Sequence, residues 1–189
     1  MDNGAMDGMG DGNGNAIGPK LSGLTIRHAT ASDVDAIAAI ESACFPPAEA
    51  ADRETIRRRL AAYPECFWLL CRSRERDVSR IVAFINGFAT DRPDLTDDMY
   101  DDPSGHNPQG AWQMIFGVDT APEYRHRGYA SLLMRHVIAD ARAVGRKGLV
   151  LTCKDRLVGF YSRFGYVDEG ISGSTHGGVV WHQMRLLSR

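Results

Sequence analysis

Gly117-Val-Asp-Thr-Ala-Pro-Glu-Tyr-Arg-His-Arg-Gly-Tyr-Ala130 is the stretch that decides how this chain is read. It carries the most apolar strand, Trp112–Thr120, through a proline-containing turn and directly into a helix over Ala130–Val144. In that helix Leu132, Leu133, His136, Val137 and Ala141 recur at helical spacing. A helix N-terminus leaves several backbone N–H groups unpaired and presents the positive end of the helix dipole. Gly128 and the small Ala130 let a bulky anion come close to that backbone, while Arg125, His126 and Arg127 add positive charge or donors. The result is a cradle of the size a pyrophosphate needs. R-x-x-G-x-A on its own is a common pattern, and a capped helix with exposed arginines would also produce it. The strand, turn and helix around it make it specific.

Working outward, Leu24–Ala29 reads as a strand. Thr30 and Ser32 offer N-caps to a helix in which Val34, Ile37, Ala38, Ile40 and Glu41 share a periodic face, and Phe45-Pro46-Pro47 ends it. A second helix spans Asp52–Ala62, with Arg53, Arg57, Arg58 and Arg59 expected as a solvated basic face. Phe67–Arg72 and Ile81–Ala89 read as antiparallel strands separated by a charged loop. Asp91–Asp102 contains six aspartates and is expected to be a loop, either simply solvated or supplying a negative field that draws a cation. Strand Gly148–Cys153, helix Arg156–Phe164 and strands near Tyr166–Gly170 and Gly178–Leu186 complete the chain. This alternation predicts an α/β fold, a mixed sheet in one domain.

The bulk numbers agree. A length of 189 residues suits one domain with a full core, and a net charge of −2 gives no reason to expect nucleic acid or an anionic membrane as partner. No apolar run approaches the ~20 residues needed to span a bilayer. Residues 1–22, rich in Gly, Asn and Asp, are expected to form a disordered tail, because such a segment buries too little apolar surface to offset its ordering entropy. The folded domain is placed at 23–189. The N-terminus lacks the basic and apolar regions of a secretory signal, so a cytoplasmic location is expected. Cys44, Cys66, Cys71 and Cys153 form no close pair and read as reduced thiols, and no metal-ligand cluster is evident, so no metal is expected.

A second motif, Cys153-Lys-Asp-Arg-Leu-Val-Gly-Phe-Tyr161-Ser-Arg-Phe-Gly-Tyr166, puts a tyrosine on a helix just after a strand. With both motifs in this order, the chain resembles the GNAT superfamily of N-acetyltransferases. Within it, the likeness is to the arylalkylamine (serotonin-type) N-acetyltransferases and their bacterial relatives, over roughly residues 24–187. The Ala-x-Phe45 region, Tyr-Pro-Glu-Cys66, Ile-Val-Ala-Phe84-Ile and the Ser-Thr-x-Gly-Gly stretch before the last strand share in it. The resemblance implies a single-domain GNAT fold: a mixed, mostly antiparallel sheet of about seven strands, flanked by about four helices and splayed at its central strands.

It further implies acetyl-CoA as cosubstrate, lying where strands Trp112–Thr120 and Gly148–Cys153 part. Backbone N–H groups of His126, Arg127, Gly128, Tyr129 and Ala130 would hold the pyrophosphate, with Arg125 opening the loop. Val118 and Thr120 would pair with the pantetheine arm, and an N–H near Val118 would polarise the thioester carbonyl. Tyr161 is the candidate acid for the leaving thiolate, although it could also be a core aromatic beside Phe160 and Phe164. The animal serotonin enzymes carry two histidines on the central strand where this chain has Met114 and Phe116, so their base does not carry over. His106 or a water chain is placed first as the group that removes the amine proton, with Asp119, His182 and Glu41 also open. By the same likeness Phe45, Ile115, Thr152 and Trp181 would line the amine pocket, with Phe45 equally able to be core filling. The expected activity is acetyl transfer to a small primary amine, possibly an arylalkylamine, by direct attack in a ternary complex. A protein or peptide lysine acetyltransferase and a non-catalytic acetyl-CoA-binding sensor are the alternatives, and either a monomer or a homodimer is expected.

Overall fold

The computed structural model describes residues 23–74 and 77–188, so the expectation for the 1–22 tail falls outside the described residues. Four strands pair in chain order: β1 (Leu24–His28), β2 (Phe67–Arg74), β3 (Asp77–Thr90) and β4 (Trp112–Thr120). Each pair is antiparallel. β5 (Gly148–Cys153) then joins β4 in parallel, and β7 (His182–Leu187) and β6 (Val167–Ile171) complete the order β1-β2-β3-β4-β5-β7-β6. A parallel pair needs a crossover, which the helix after β4 supplies. The mixed seven-stranded sheet expected from the sequence is therefore the architecture, with five α-helices rather than about four.

The extra helix is short. α1 (Val34–Cys44), α2 (Arg53–Ala62), α4 (Tyr129–Ala143) and α5 (Val158–Ser162) match expected helices, whereas α3 (Asp98–Asp101) is a single turn inside the aspartate-rich segment read as a loop. Arg92 pairs with Asp98, and Asp97 accepts from Ser174 and from the Thr175 backbone and hydroxyl, so the run of carboxylates is bonded into place. The second hairpin also differs: β3 starts at Asp77, pairing with Arg74, where a longer charged loop was expected.

α4 lies across β2, β3, β4 and β5, with Leu133, Met134 and Val137 fully buried. α1 packs on β4 and β3 and against α2. Asp33, just before α1, accepts both ends of the Arg27 guanidinium at 2.7 and 2.8 Å, together with the Thr30 N–H at 2.8 Å. This clamp fixes the entry of α1 against β1.

The register of β4 against β3 holds the feature that matters most for the site. Asn86 faces Gly117, but the next residue, Gly87, faces Ile115, so Phe116 has no partner across the ladder. One extra residue on one strand is a β-bulge, which bends that strand and re-aims its side chains. The parallel ladder to β5 ends at Ile115–Leu151, immediately before the bulge. β4 thus leaves β5 at Phe116. The bulge needs a close approach opposite: a Cβ on Gly87 would lie 1.8 Å from the Met114 carbonyl oxygen. Gly87→Ala is therefore expected to destabilise the fold by about 1–3 kcal/mol, the usual range for overpacking. A lowered urea midpoint with unchanged slope would report it.

Candidate active site

The anion cradle follows from the β4–α4 connection. A short 3-10 turn, Pro122–Tyr124, hands the chain to a loop in which His126 (φ 60°) and Gly128 (φ 77°) both adopt left-handed backbone. Left-handed residues in close succession fold a loop around its own N–H groups, and a non-glycine residue held there is a strain usually met at functional sites. Gly128 is the N-cap of α4 and has no side chain with which to satisfy the first-turn donors. Arg125 anchors the loop through the Thr120 and Ala43 carbonyls, and Arg127 bonds Glu123 O while lying over the Tyr124 ring. These residues fit a pyrophosphate by backbone donors, with two guanidinium groups adjacent.

Beyond the bulge, the orientation of β4's backbone can be worked out. Ala121 N–H donates to Val82 O on the β3 side. Because polar groups alternate sides along a strand, Asp119 also addresses β3, and Val118 and Thr120 address the side β5 has left. Consistently, Thr120 O accepts from Cys44 Sγ and Arg125 Nε rather than from β3.

A cavity of about 370 Å³ opens at this divergence. Phe45, Ile115, Thr152 and Trp181 all line it, together with Val118 and Tyr161. Tyr161 is 6 % exposed, and its ring packs on Phe160 and Tyr166. Burial, with smaller contributions from Cys153 and Asp119, raises its phenol well above the ordinary tyrosine value, so it stays protonated. Thr152 Oγ1 lies 3.0 Å from Tyr100 Oη, and Trp181 Nε1 donates to His176 O.

Arg59 stands at the cavity with no sequence signal for a site, whereas Glu41 and Asp119 are two of the proton acceptors left open by the sequence. Arg59, expected on a solvated face, is 5 % exposed, donates to Asn86 Oδ1 and Tyr100 O, and lies 5.0 Å from the Phe116 ring centroid. Phe116, re-aimed by the bulge, touches Phe88 and Tyr100, and Tyr100 stacks on His176 at 4.7 Å. Glu41 also lines the cavity; its Oε1 accepts the Ala51 N–H, while Oε2 has no partner among the described residues. Asp119, 1 % exposed, leaves both carboxylate oxygens unpartnered there.

The two histidines considered as proton acceptors lie elsewhere. His106 is not among the cavity residues: its Nδ1 accepts Ala89 N–H at 3.2 Å and its Nε2 lies 3.0 Å from Glu65 Oε1, with burial lowering its pKa. His182 bonds Asp168 at 3.1 Å between β6 and β7. No metal-ligand cluster was visible in the sequence, yet the fold brings Glu65, Cys66 and His106 donor atoms within 4.8 Å of one another. Both His106 ring nitrogens are engaged there, and burial pushes the Cys66 thiol up to about 12, which disfavours the thiolate a metal needs. The four cysteines are free, with Cys44 half-buried and the others buried.

Comparison with known proteins agrees with this geometry. The acetyltransferase (GNAT) family model matches residues 34–166. An uncharacterised N-acetyltransferase of Bacillus subtilis, YkwB, is 28 % identical over 123 residues, covering 62 % of this chain and 54 % of its own. The serotonin N-acetyltransferase of Mesocricetus auratus is 30 % identical over 113 residues, covering 58 % and 52 %. The chain thus spans about half the length of these curated relatives. Among solved structures, the GphF GNAT-like decarboxylase in complex with isobutyryl-CoA superposes with a TM-score of 0.73 at 24 % identity, over 87 % of this chain and 100 % of that one. The family model covers well over half of the sequence, and the strand, cradle and divergent sheet are in place; the chain belongs to the GNAT acetyltransferase family.

Proposed function

We propose that this protein transfers the acetyl group of acetyl-CoA to a small primary amine, and that an arylalkylamine is the acceptor class its cavity suits best. One observation carries the reading: a single cavity of about 370 Å³ joins Tyr161 and the open side of β4 to a set of aromatic rings and carboxylates. Its size is that of small-molecule sites. Phe45, Tyr100, Phe116 and Trp181 offer faces and edges to a flat ring, and Glu41, Glu49, Asp52 and Asp101 favour a cation. Glu49 is already paired with Lys154 at 2.7 Å, which leaves Glu41 as the inner carboxylate. Phe45, Pro47, Tyr100 and Asp101 wall the cavity, which supports a small acceptor over a peptide.

Acetyl-CoA supplies the activated acyl group when bound. His126, Arg127, Gly128, Tyr129 and Ala130 would hold its pyrophosphate through backbone N–H groups, beside Arg125. The outward-facing N–H of Val118 would donate to the thioester carbonyl oxygen, and Thr120 would pair with the pantetheine arm. Much of the rate gain then comes from positioning amine and thioester together. Tyr161 donates its phenolic proton to the departing sulfur. Its raised pKa guarantees the protonated form and makes it a weaker acid, so the transfer is driven by a thiolate emerging in a poorly solvated cavity.

Turnover of tryptamine, phenethylamine and tyramine, followed by thiol release, is expected to exceed that of spermidine, glucosamine and a lysine peptide. The reverse order would refute the aryl assignment. Tyr161→Phe should lower kcat about 10²–10³-fold while leaving acetyl-CoA affinity by calorimetry within twofold. Gly128→Val should do the opposite. Holding a β-branched residue in left-handed backbone costs about 1–2 kcal/mol, so the acetyl-CoA Kd should rise roughly tenfold with kcat at saturation little changed.

A further inference from the structure

Acetyl transfer to an amine that arrives as a cation requires a group that takes a proton, and neither histidine considered for that task lines the cavity. Glu41 does. It reaches from the buried side of α1, 5 % exposed, toward a place on β4 where Gly117 has no side chain. A Cβ built on Gly117 would lie 2.9 Å from Asp119 Oδ2, 3.6 Å from Glu41 Oε2 and 2.8 Å from Asn86 Nδ2. Three buried polar groups therefore converge around one glycine, and three of the four carboxylate oxygens find no donor there beyond the Cys44 thiol and a proton held between the two carboxyls. Unpartnered buried carboxylate oxygens are costly, and native structures keep few of them.

Resting on the acetyltransferase reading above, we infer that Glu41 and Asp119 form a proton-accepting carboxyl pair, in which Glu41 takes the proton of the ammonium in the cavity and Asp119 acts on Glu41 as a positioning residue. Two carboxylates this close in a buried site do not both ionise readily, so the pair takes up one shared proton at higher pH than a lone carboxylate does. Burial raises Glu41, and burial together with the Glu41 charge raises Asp119. The surrounding charges are few. Arg59 on α2 and His176 in the turn before β7 act on Glu41 to lower it; Arg125 lowers Asp119. Cys44 on α1 and Tyr161 on α5 also neighbour Asp119. Arg59 reaches the pair through Asn86, whose Oδ1 accepts its guanidinium while Nδ2 faces the carboxyls.

The proton count closes. The ammonium N–H bond breaks and its proton goes to the doubly ionised pair, becoming the proton the two carboxyls share; the neutral nitrogen forms a bond to the acetyl carbon. When the C–S bond breaks, sulfur takes the phenolic proton of Tyr161. The surplus proton on the new amide nitrogen restores the phenol, and the pair releases its proton to solvent. One proton leaves per acetyl transferred.

Two measurements test the pair. Carboxyl-¹³C NMR of the full chain should show Glu41 and Asp119 titrating as a coupled couple, with one proton retained above the ordinary carboxylate value of about 4. Asp119→Asn should move the remaining Glu41 titration to lower pH. In kinetics with an alkylamine that the wild type acetylates, Glu41→Gln should lower kcat/KM at pH 7 by about 10²–10³-fold. That deficit should shrink toward pH 10, where the amine is already neutral. Asp119→Asn should leave acetyl-CoA binding unchanged and shift the acid limb of kcat/KM to lower pH. Both carboxyls ionising near 4 in the wild type would overturn the pair whatever the activity. So would Glu41→Gln within threefold of wild type at pH 7. If Glu41→Gln fails to fold, the Asp119→Asn limb decides: an unmoved limb overturns the proposal. A shared proton with no turnover of any amine would uphold the pair and count against the acetyltransferase reading instead.

Discussion

One unpaired residue, Phe116, organises this protein. By inserting itself between Ile115 and Gly117 it breaks the β4 ladder on both sides at once. On the β3 side the sheet absorbs the irregularity through Gly87, whose missing side chain lets the Met114 carbonyl come close. On the β5 side nothing absorbs it, and the strands part. The same bend turns Phe116 toward Arg59 and Tyr100, points Val118 and Thr120 into the divergence and sends the chain on to the cradle before α4. The strand divergence, the cavity beside it and the course of the chain toward the α4 loop thus share a single bulge.

The second constraint is electrostatic. Burying Arg59, Glu41 and Asp119 beside one another would be unfavourable in an apolar core, because each charge loses its hydration. Asn86 mediates between cation and carboxyls, and the small volume of Gly117 keeps the three groups within one another's fields. Among the described residues, no ion pair within 4.0 Å joins Arg59 to either carboxylate. Arg59 and the two carboxyls therefore act on one another at a distance rather than through a direct pair.

How far the sequence could be read depended on the range of each interaction. The cradle was legible because its parts are adjacent: strand, Pro122, Arg125, Gly128 and helix follow without interruption. The cavity residues Phe45, Ile115, Thr152 and Trp181 were named through family likeness, and the fold brings them to one wall system. What local reading missed is what tertiary contact decides. Arg59 sits among Arg53, Arg57 and Arg58 with the same composition as a solvated face, and only the packing of α2 near Phe116 buries it. The bulge itself leaves no pattern in a run as apolar as Gln113–Val118. His106, placed first as a proton acceptor, is held beside β3 instead by Ala89, Glu65 and the Tyr63 ring.

The join between β4 and β5 also sets an order in which the molecule can be made. β1 to β4 pair with their neighbours in sequence, whereas β5, β7 and β6 assemble from the last third of the chain. Only four residue pairs, Trp112–Gly148 to Ile115–Leu151, stitch the two groups together along the sheet. Contacts close in sequence form before distant ones, and domains emerge from the ribosome N-terminus first. The cleft is bordered by one strand from each group, so it exists only once the second group has docked on the first. The cleft is thus a product of long-range assembly, and it disappears wherever that short seam opens.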